Sequence, residues 1–366
     1  MRVLHVGKFY PPVRGGMETV LASLCEGTAK RWQVRVVVAD QGPRTRRERR
    51  AGVDVVRVGT VLRALSVSLS PALARELWRE HVDCVVLHEP NPAAGVVLAL
   101  RTPAPRLIVW HHSDIVRPAW APVTYGRVQR ALHRRADCVI VAAPPMARSA
   151  AVAAARRVEV VPYGIDLAGA SDENDRALAG LAAVPRPRVL FVGRLVYYKG
   201  LSVLLEAMAR VDGALVIAGQ GPLSGELRAR AAALGLAGRV TFLEGLSDEA
   251  IRALYRACDV CVLPSTERTE AFGLVQVEAM AAGIPVISTD LPTGVPWVNV
   301  SGETGLVVPA GDADALAAAL RRLLADPVLR ARLGQVGRRR AEQHFAEPAM
   351  IERFVEIVES VTGGHR

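Results

Sequence analysis

The chain has 366 residues, of which 51% are hydrophobic, 22% charged and 5% aromatic, and its formal net charge is +10. This length exceeds one ordinary hydrophobic core and predicts two domains. No apolar run reaches the ~18 residues that a membrane-spanning helix needs. The opening segment leads straight into a strand-like run without the layout of a signal peptide, so we expect a cytoplasmic protein.

The positive charge is concentrated in the first half of the chain, where residues 1–180 hold 26 Lys and Arg against 16 Asp and Glu. Its densest cluster is Arg44-Thr-Arg-Arg-Glu-Arg-Arg50. A basic face favours anionic lipid headgroups, lipid diphosphates or nucleic acid. The low aromatic content argues against nucleic acid. The cluster is therefore interpreted as a solvated loop or as a contact with the inner face of the plasma membrane.

Short apolar runs alternate with helical stretches, which is typical of parallel sheets with crossover helices. The predicted strands are residues 3–6, 34–38, 53–58, 84–87, 107–110, 138–141, 158–161, 188–192, 214–218, 240–243, 260–263, 285–288 and 305–308. The stretch from Gly164 to Pro187, with an acidic patch at 172–175, is interpreted as a linker. We predict an α/β fold with two Rossmann-like, doubly wound domains, residues 1–180 and 181–346, whose ligands lie at the carboxyl ends of the strands in a central cleft.

Two other patterns have structural interpretations. Five cysteines spread over apolar segments argue against a disulfide framework, and Cys258-Asp-Val-Cys261 is interpreted as a helix end entering a buried strand. The chain is predicted to be helical from about Pro309. Asp312-Ala-Asp314 opens one of these helices, where a capping role is favoured over metal binding.

Glu270 and Glu278 have seven residues between them in a segment that predicts an apolar helix beginning near Phe272. Glu270 would lie on the loop before the helix and Glu278 about two turns along it. Unpaired backbone N–H groups at the helix start suit a diphosphate between the two acids. The pattern predicts a nucleotide-sugar site, with one acid at a sugar hydroxyl and the other at a ribose. The donor-binding backbone is expected at Ala271, Phe272, Gly273 and Leu274.

The segment from Thr269 to Ser288 resembles the signature of retaining GT-B glycosyltransferases of family 4, and the resemblance covers nearly the whole chain. It implies that Glu270 contacts the donor sugar and Glu278 the nucleotide ribose. It also implies that the last helix, within 347–366, packs on the N-terminal domain. The loop from Thr289 to Asn299 is similar to a subgroup of bacterial rhamnosyl and mannosyl transferases, which implies a GDP- or UDP-hexose donor.

Glycine-rich loops in both halves extend this resemblance. Gly15 and Gly16 follow the first strand and precede a helix near Met17, where backbone N–H groups can approach a phosphate or the donor sugar. In the second half, Gly193 and the pair Gly219 and Gly221 are expected to line the nucleotide.

Two cations follow the first strand of the second half. Arg194 and Lys199 lie in the run Phe191-Val-Gly-Arg-Leu-Val-Tyr-Tyr-Lys-Gly-Leu201, where they can neutralise a leaving nucleoside diphosphate without a metal ion. We therefore assign catalytic roles to Arg194 and Lys199, together with Glu270 and, from the resemblance described next, His112.

A histidine pair ends a strand of the first half, in Trp110-His-His-Ser-Asp114. The family carries a histidine at this place that hydrogen-bonds the donor sugar, which implies that role for His112, with His111 as the alternative. Asp114 is expected either to orient the histidine or to contact the acceptor.

The predicted reaction is metal-free and cofactor-free transfer of a hexosyl group to a lipid-linked or glycan acceptor, with retention of configuration, in cell-surface polysaccharide or glycoconjugate synthesis. The resemblance implies that the leaving diphosphate helps to deprotonate the acceptor. Two alternatives stay open: a nucleotide-sugar epimerase or hydrolase of the same fold, which would need further acid and base carboxylates, and a noncatalytic nucleotide-sugar binding protein. Glu270, Arg194 and Lys199 favour the transferase.

Overall fold

The computed structural model describes residues 1–64, 67–79, 81–116, 121–167, 181 and 184–363. The chain forms two units: Met1–Gly164 with Glu347–Arg366, and Ile165–Ala346. The sequence prediction set the boundary after residue 180, whereas this division falls after Gly164. Most of the predicted linker, including its acidic patch at 172–175, lies outside the described residues.

Unit 1 contains an eight-stranded sheet with the order β10-β9-β8-β7-β1-β2-β4-β3. Its strands, with the separate hairpin β5–β6, are β1 Arg2–Val6, β2 Gln33–Ala39, β3 Arg46–Arg50, β4 Val53–Val58, β5 Leu62–Ala64, β6 Val67–Leu69, β7 Cys84–Glu89, β8 Arg106–His111, β9 Cys138–Val141 and β10 Val158–Val160. Helices connect them: α1 Gly16–Thr28, α2 Pro71–Trp78, α3 Pro92–Leu100, α4 Ala121–Arg135 and α5 Pro144–Ala147. Central strands such as β7 are buried along their whole length, because parallel strands are covered on both faces.

Arg46–Arg50 of the basic cluster form a strand, so the prediction of a loop is wrong there, whereas the prediction that the cluster is solvated is confirmed. β3 pairs antiparallel with β4 at the edge of the sheet, and its five residues are all exposed. Its arginines reach nearby carboxylates: Arg46 binds Asp40 at 2.8 Å and Arg47 binds Glu76 at 2.6 Å. An edge strand tolerates such charges because its side chains remain in water, and the charges discourage pairing with another sheet.

Unit 2 contains a six-stranded, wholly parallel sheet with the order β13-β12-β11-β14-β15-β16. Its strands are β11 Arg188–Val192, β12 Ala214–Ala218, β13 Val240–Leu243, β14 Val260–Leu263, β15 Val286–Thr289 and β16 Gly305–Val308. Its helices are α6 Leu201–Met208, α7 Ser224–Ala233, α8 Asp248–Ala257, α9 Leu274–Ala281, α10 Val295–Val298, α11 Ala313–Ala325 and α12 Pro327–His344, with a 3-10 turn at Tyr197–Lys199. Two α/β units with doubly wound, mainly parallel sheets are thus confirmed.

The last helix, α13 Glu347–Thr362, returns to unit 1 and packs against α1. Phe354 of α13 is fully buried, with its ring centroid 5.6 Å from that of His5 and 5.7 Å from that of Trp110. The apolar face that α13 shows at helical spacing is therefore part of the unit 1 core. Among the described residues, no helix is long and apolar enough to cross a bilayer.

The two structural interpretations of short motifs are confirmed. The Asp312 side chain accepts a hydrogen bond of 2.8 Å from the backbone N–H of Ala315 and caps α11. Cys258 ends α8 and Cys261 lies in β14, and both are free and buried. Burial raises the pKa of the Cys258 thiol to about 12, which keeps it protonated and unreactive at neutral pH.

Candidate active site

The predicted acid pair lies at the carboxyl edge of the unit 2 sheet. The strand order reverses between β11 and β14, and ligands of doubly wound sheets bind outside the strand ends at such a point. Glu270 is on the loop between β14 and α9, and Glu278 is on α9. Gly273 precedes the helix with φ +75°, a left-handed conformation that glycine adopts without strain. Leu274 is therefore the first helical residue, slightly later than the predicted start near Phe272.

Glu270 is held by a lysine and a serine. Its Oε2 atom lies 2.5 Å from Lys199 Nζ and accepts a hydrogen bond of 3.0 Å from Ser265 Oγ. The side chains of Lys199 and Glu270 are only 11% and 10% exposed. Burial alone would lower the pKa of Lys199, but the Glu270 carboxylate raises it above its ordinary value. The lysine is therefore a cation at neutral pH.

Glu278 has a different partner. The Tyr255 hydroxyl on α8 donates a hydrogen bond of 2.6 Å to Glu278 Oε2. Burial raises the pKa of Glu278 above its usual value, and the hydrogen bond from Tyr255 acts in the opposite direction. The glutamate thus has one carboxylate oxygen bound by protein at a half-buried position.

The other predicted donor residues of unit 2 surround this pair. Ala271 and Phe272 are buried, and the Phe272 ring packs against Trp297 and Phe345 with centroids 6.4 Å and 5.7 Å away. The Ala271 carbonyl accepts a hydrogen bond of 2.7 Å from the Gly294 N–H. The loop before α9 is therefore anchored to the unit 2 core by packing and by this backbone hydrogen bond.

The glycine loops after β11 and β12 pack back to back. The Leu195 N–H donates to the Gln220 carbonyl at 3.0 Å, and a Cβ atom at Gly219 would lie 1.9 Å from the Gly193 carbonyl oxygen. A Cβ at Gly221 would likewise lie 2.4 Å from the Leu195 carbonyl oxygen. Only glycine allows this close approach of the two loops. Arg194, in the first of these loops, is exposed just after β11.

In unit 1, His112 belongs to a buried chain of hydrogen-bonded rings. His112 Nε2 lies 2.8 Å from His88 Nδ1, and His112 Nδ1 lies 2.6 Å from the Tyr163 hydroxyl. His88 Nε2 in turn lies 3.0 Å from His5 Nδ1. Burial lowers the pKa of His5 and of His112 to about 3, so these rings are neutral. Both ring nitrogens of His112 thus have protein partners.

His111 points to a second network. Its Nδ1 lies 3.5 Å from Glu89 Oε2 and its Nε2 lies 3.1 Å from Asp114 Oδ1. Burial alone would lower the pKa of His111, but the two carboxylates raise it to about 9. Of the two roles predicted for Asp114, the described contact is the one that orients a histidine, and that histidine is His111.

Glu89, His111 and His133 bring three potential metal ligands within 4.8 Å of one another. The Glu89 carboxylate is, however, already satisfied by protein donors. His133 Nε2 and Gln129 Nε2 each lie 2.9 Å from Glu89 Oε2, and the Tyr125 hydroxyl lies 3.3 Å from its other oxygen. The cluster is better explained as a buried carboxylate that ties α4 to β7 and β8.

Gly15 and Gly16 are at the start of α1, where helix and loop were predicted. A Cβ atom at Gly15 would lie 2.2 Å from Glu18 Oε2, so the Glu18 carboxylate lies against this helix start. Glu18 is buried. The Glu18 carboxylate thus lies beside the helix start at which a phosphate or the donor sugar was expected to approach.

Several site neighbours escaped the sequence analysis: Tyr255, Ser265, Glu89, His133 and Tyr163. Ser265 had a usable signal, because it is a polar residue two positions after the end of a buried strand. Tyr255 had a weaker one, since it lies on the buried face of the amphipathic α8. The other contacts join residues that are far apart in the chain.

Known families match both halves of the chain. The family model described as Glycosyltransferase Family 4 matches residues 14–168, and that described as Glycosyl transferases group 1 matches residues 179–340. The chain is 31% identical to the O-antigen chain mannosyltransferase C of Escherichia coli, over 98% of each protein. It is 34% identical to the D-rhamnosyltransferase WbpZ of Pseudomonas aeruginosa, over 94% of this chain and 92% of the relative. A GDP-mannose-dependent alpha-(1-6)-phosphatidylinositol monomannoside mannosyltransferase of Mycolicibacterium smegmatis is 30% identical over 97% and 98%.

Solved structures show the same fold. The sucrose-phosphate synthase of Thermosynechococcus elongatus has a TM-score of 0.82 at 24% identity, over 99% of both chains. Anabaena HepE in complex with UDP-glucose has a TM-score of 0.80 at 22% identity, over 98% of this chain and 100% of the other. WaaG, a glycosyltransferase involved in lipopolysaccharide biosynthesis, has a TM-score of 0.75 at 18% identity, over 99% and 100%.

Proposed function

The chain belongs to glycosyltransferase family 4 and has the GT-B fold, and on this premise we propose that it transfers a hexosyl group from a GDP- or UDP-hexose, GDP-mannose in particular, with retention of configuration. The acceptor is a lipid-linked or glycan molecule of cell-surface polysaccharide or glycoconjugate synthesis. The relative described as GDP-mannose-dependent supports GDP-mannose, and the O-antigen mannosyltransferase supports the acceptor class.

The contact between Lys199 and Glu270 is the observation that carries this proposal. It places a buried cation and a buried acid at the carboxyl edge of β11 and β14, with the exposed Arg194 on the same loop as the lysine. A cation in a water-poor site stabilises the charge that develops on a leaving diphosphate. Glu270 can accept a hydrogen bond from a sugar hydroxyl, while Glu278 binds the ribose.

The reaction needs no metal ion in this proposal, because Arg194 and Lys199 supply the positive charge. The bond between the sugar C1 and the diphosphate oxygen breaks, and the acceptor oxygen bonds to C1 on the same face. The acceptor proton passes to a diphosphate oxygen, which becomes more basic as it leaves. A contact of His112 with the donor sugar, with His111 as the alternative, stays a prediction, and in unit 1 both ring nitrogens of His112 have protein partners.

The acceptor is assigned to unit 1, at the carboxyl ends of β1 and β7. A small recess there is lined by residues that include Lys8, Ser68, Ser70 and Asn91. The hydroxyl oxygens of Ser68 and Ser70 are buried and have no hydrogen-bond partner among the described residues. The recess has a volume of about 20 Å³, which has room for a single hydroxyl or water oxygen, so the two serines can meet one hydroxyl of an acceptor and do not enclose its sugar ring.

We also propose that unit 1 makes a peripheral contact with the inner face of the plasma membrane. The segment around the hairpin β5–β6 exposes Val61, Leu62 and Leu69, whose exposed fractions are 71%, 57% and 45%. The basic edge strand β3 pairs with β4, which directly precedes this hairpin in the chain. Apolar side chains beside basic ones favour the interface of an anionic membrane, where a lipid-linked acceptor resides.

A transfer assay tests the proposal. The protein is incubated with GDP-mannose or UDP-glucose in EDTA, with acceptor lipids from a bacterial membrane, and nucleoside diphosphate release is measured with the product's anomeric configuration by NMR. We expect a retained configuration and no loss of rate in EDTA. An inverted product or strict metal dependence would contradict the mechanism. Release of an epimerised free sugar without an acceptor would instead support the epimerase alternative.

A further inference from the structure

Tyr255 and Glu278 form a contact that the transfer mechanism above does not use. Tyr255 lies on α8, is almost fully buried, and donates a hydrogen bond of 2.6 Å to Glu278 Oε2 on the neighbouring α9. The hydroxyl is the only polar part of this side chain, and it is aimed at a carboxylate that is half-buried and reachable from solvent. The contact therefore connects the core of unit 2 to the predicted ribose acid.

Three charged groups also act on Glu278. Asp248 disfavours its ionised form, while Arg252 and Lys199 favour it. Burial is the largest effect and favours the neutral acid. The Tyr255 hydroxyl can donate to the carboxylate, so it favours the ionised form and holds one oxygen in place. Without it, Glu278 would be less completely ionised and free to rotate.

The charge and orientation of Glu278 affect how the protein binds the ribose of the nucleotide. A ribose presents adjacent 2′- and 3′-hydroxyls, which are hydrogen-bond donors, whereas a 2′-deoxyribose presents only the 3′-hydroxyl. An ionised carboxylate accepts several hydrogen bonds and binds such a pair of hydroxyls well when its orientation is fixed. A site that is built for a hydroxyl discriminates strongly against the ligand that lacks it.

We propose that Tyr255 is a positioning residue that orients Glu278 for the ribose, and that this pair makes the donor site selective for ribonucleotides over 2′-deoxyribonucleotides. This inference rests on the proposed function, because it takes Glu278 as the ribose-binding acid. The donor is then a hexose carried on a ribonucleoside diphosphate. A hexose carried on deoxythymidine diphosphate is excluded, because the pentose of that nucleotide is 2′-deoxyribose.

Tyr255→Phe tests the positioning role, because it removes the hydroxyl and retains the ring that fills the core. Affinities for GDP, 2′-deoxy-GDP, UDP and 2′-deoxy-UDP are measured by calorimetry at pH 7.5 and 5.5. The proteins are the wild type, Tyr255→Phe, Glu278→Gln and the double variant. Tyr10→Phe is the matched control, since the Tyr10 hydroxyl also contacts a glutamate, Glu26, at 3.3 Å in unit 1.

We expect the wild type to prefer the ribonucleotide and Tyr255→Phe to lose about tenfold of that preference, as a hydrogen bond to a charged group commonly contributes that much. The loss should be larger at the lower pH, because burial raises the pKa of Glu278 and removing the Tyr255 hydroxyl raises it further. The double variant should match Glu278→Gln, and Tyr10→Phe should match the wild type.

A wrong positioning role for Tyr255 and a wrong proposed function would give different results. If Glu278→Gln lowers the ribose preference and Tyr255→Phe leaves it at the wild-type ratio, the positioning role is wrong and the proposed function stands. If no nucleotide binds the wild type, or if Glu278→Gln keeps the full preference, the assignment of Glu278 in the proposed function is itself wrong.

Discussion

Lys199 Nζ and Glu270 Oε2 lie 2.5 Å apart, although the two residues follow different strands of the unit 2 sheet. Parallel neighbours β11 and β14 end at the same edge, so the loops after them meet. The pair is almost buried, so removing either side chain would leave the other as an unpaired buried charge, which is destabilising. Any ligand that binds Lys199 must compete with Glu270 or share it.

Replacing any one of Lys199, Arg194 and Glu270 with alanine should lower turnover by roughly a hundredfold or more, because each removes a group aligned with the transition state. Steady-state rates of nucleoside diphosphate release measure this. Arg332→Ala is the control, as it removes an exposed positive charge on α12. Near-normal turnover in all three site variants would overturn the site assignment.

Gly219→Ala should destabilise unit 2. The added Cβ would lie 1.9 Å from the Gly193 carbonyl oxygen, and φ is +151°. We expect the free energy of unfolding to fall by at least about 1–3 kcal/mol, since both the clash and the backbone conformation disfavour alanine. Urea denaturation measures it. Gly225→Ala, on α7 with nothing within 4 Å of the added Cβ, should be neutral or stabilise by up to about 1 kcal/mol. Equal stabilities of the two variants would contradict the packing of the loops.

Unit 1 should lose stability as the pH falls below 6.5. The pKa of His5 and of His112 is about 3 in the folded state, so the unfolded chain binds their protons first. Each such histidine then costs about 1.4 kcal/mol per pH unit between its two pKa values, with no effect above pH 6.5. Urea denaturation between pH 7.5 and 5 measures the slope.

His5→Asn provides the check on that slope, because an asparagine amide can replace His5 Nδ1 in the contact with His88 and does not titrate. The variant should depend on pH less steeply than the wild type, by about one proton. An identical slope in the two proteins would show that His5 titrates normally in the folded state.

His111 should behave in the opposite way. Its pKa is raised to about 9 by Asp114 and Glu89 against the effect of burial. A group with a raised pKa contributes stability that is fully present below pH 6.5 and is lost as the pH rises through about 9. NMR titration of the histidine ring protons should give one midpoint near pH 9, and Asp114→Asn should lower that midpoint. A midpoint near 6.5 in the wild type would contradict the ion-pair network.

Local patterns predicted much of this fold. Apolar runs located most strands to within a residue, because a parallel strand that is covered on both faces consists almost entirely of apolar residues. The strand β3 was missed since its sequence, Arg-Arg-Glu-Arg-Arg, has no apolar residue and owes its conformation to pairing with β4. The hairpin β5–β6 was missed as well.

The candidate site was predictable only in part. Glu270, Lys199 and Arg194 lie in loops directly after strands, where topology alone brings them to one edge. The contacts of Tyr255 with Glu278 and of His112 with Tyr163 join residues whose spacing carries no signal, because side-chain direction across packed elements depends on tertiary structure.

Donor binding without metal tests the central claim most directly. A thermal-shift screen in EDTA compares GDP-mannose, UDP-glucose, UDP-GlcNAc, UDP-galactose and dTDP-rhamnose on the wild type and on Glu278→Gln, since a ligand that binds only the folded state raises its stability. We predict that one GDP- or UDP-sugar raises the wild-type melting temperature, that dTDP-rhamnose does not, and that Glu278→Gln loses the shift. A wild type that responds to no nucleotide sugar or nucleoside diphosphate, or a variant with an undiminished shift, would contradict the account.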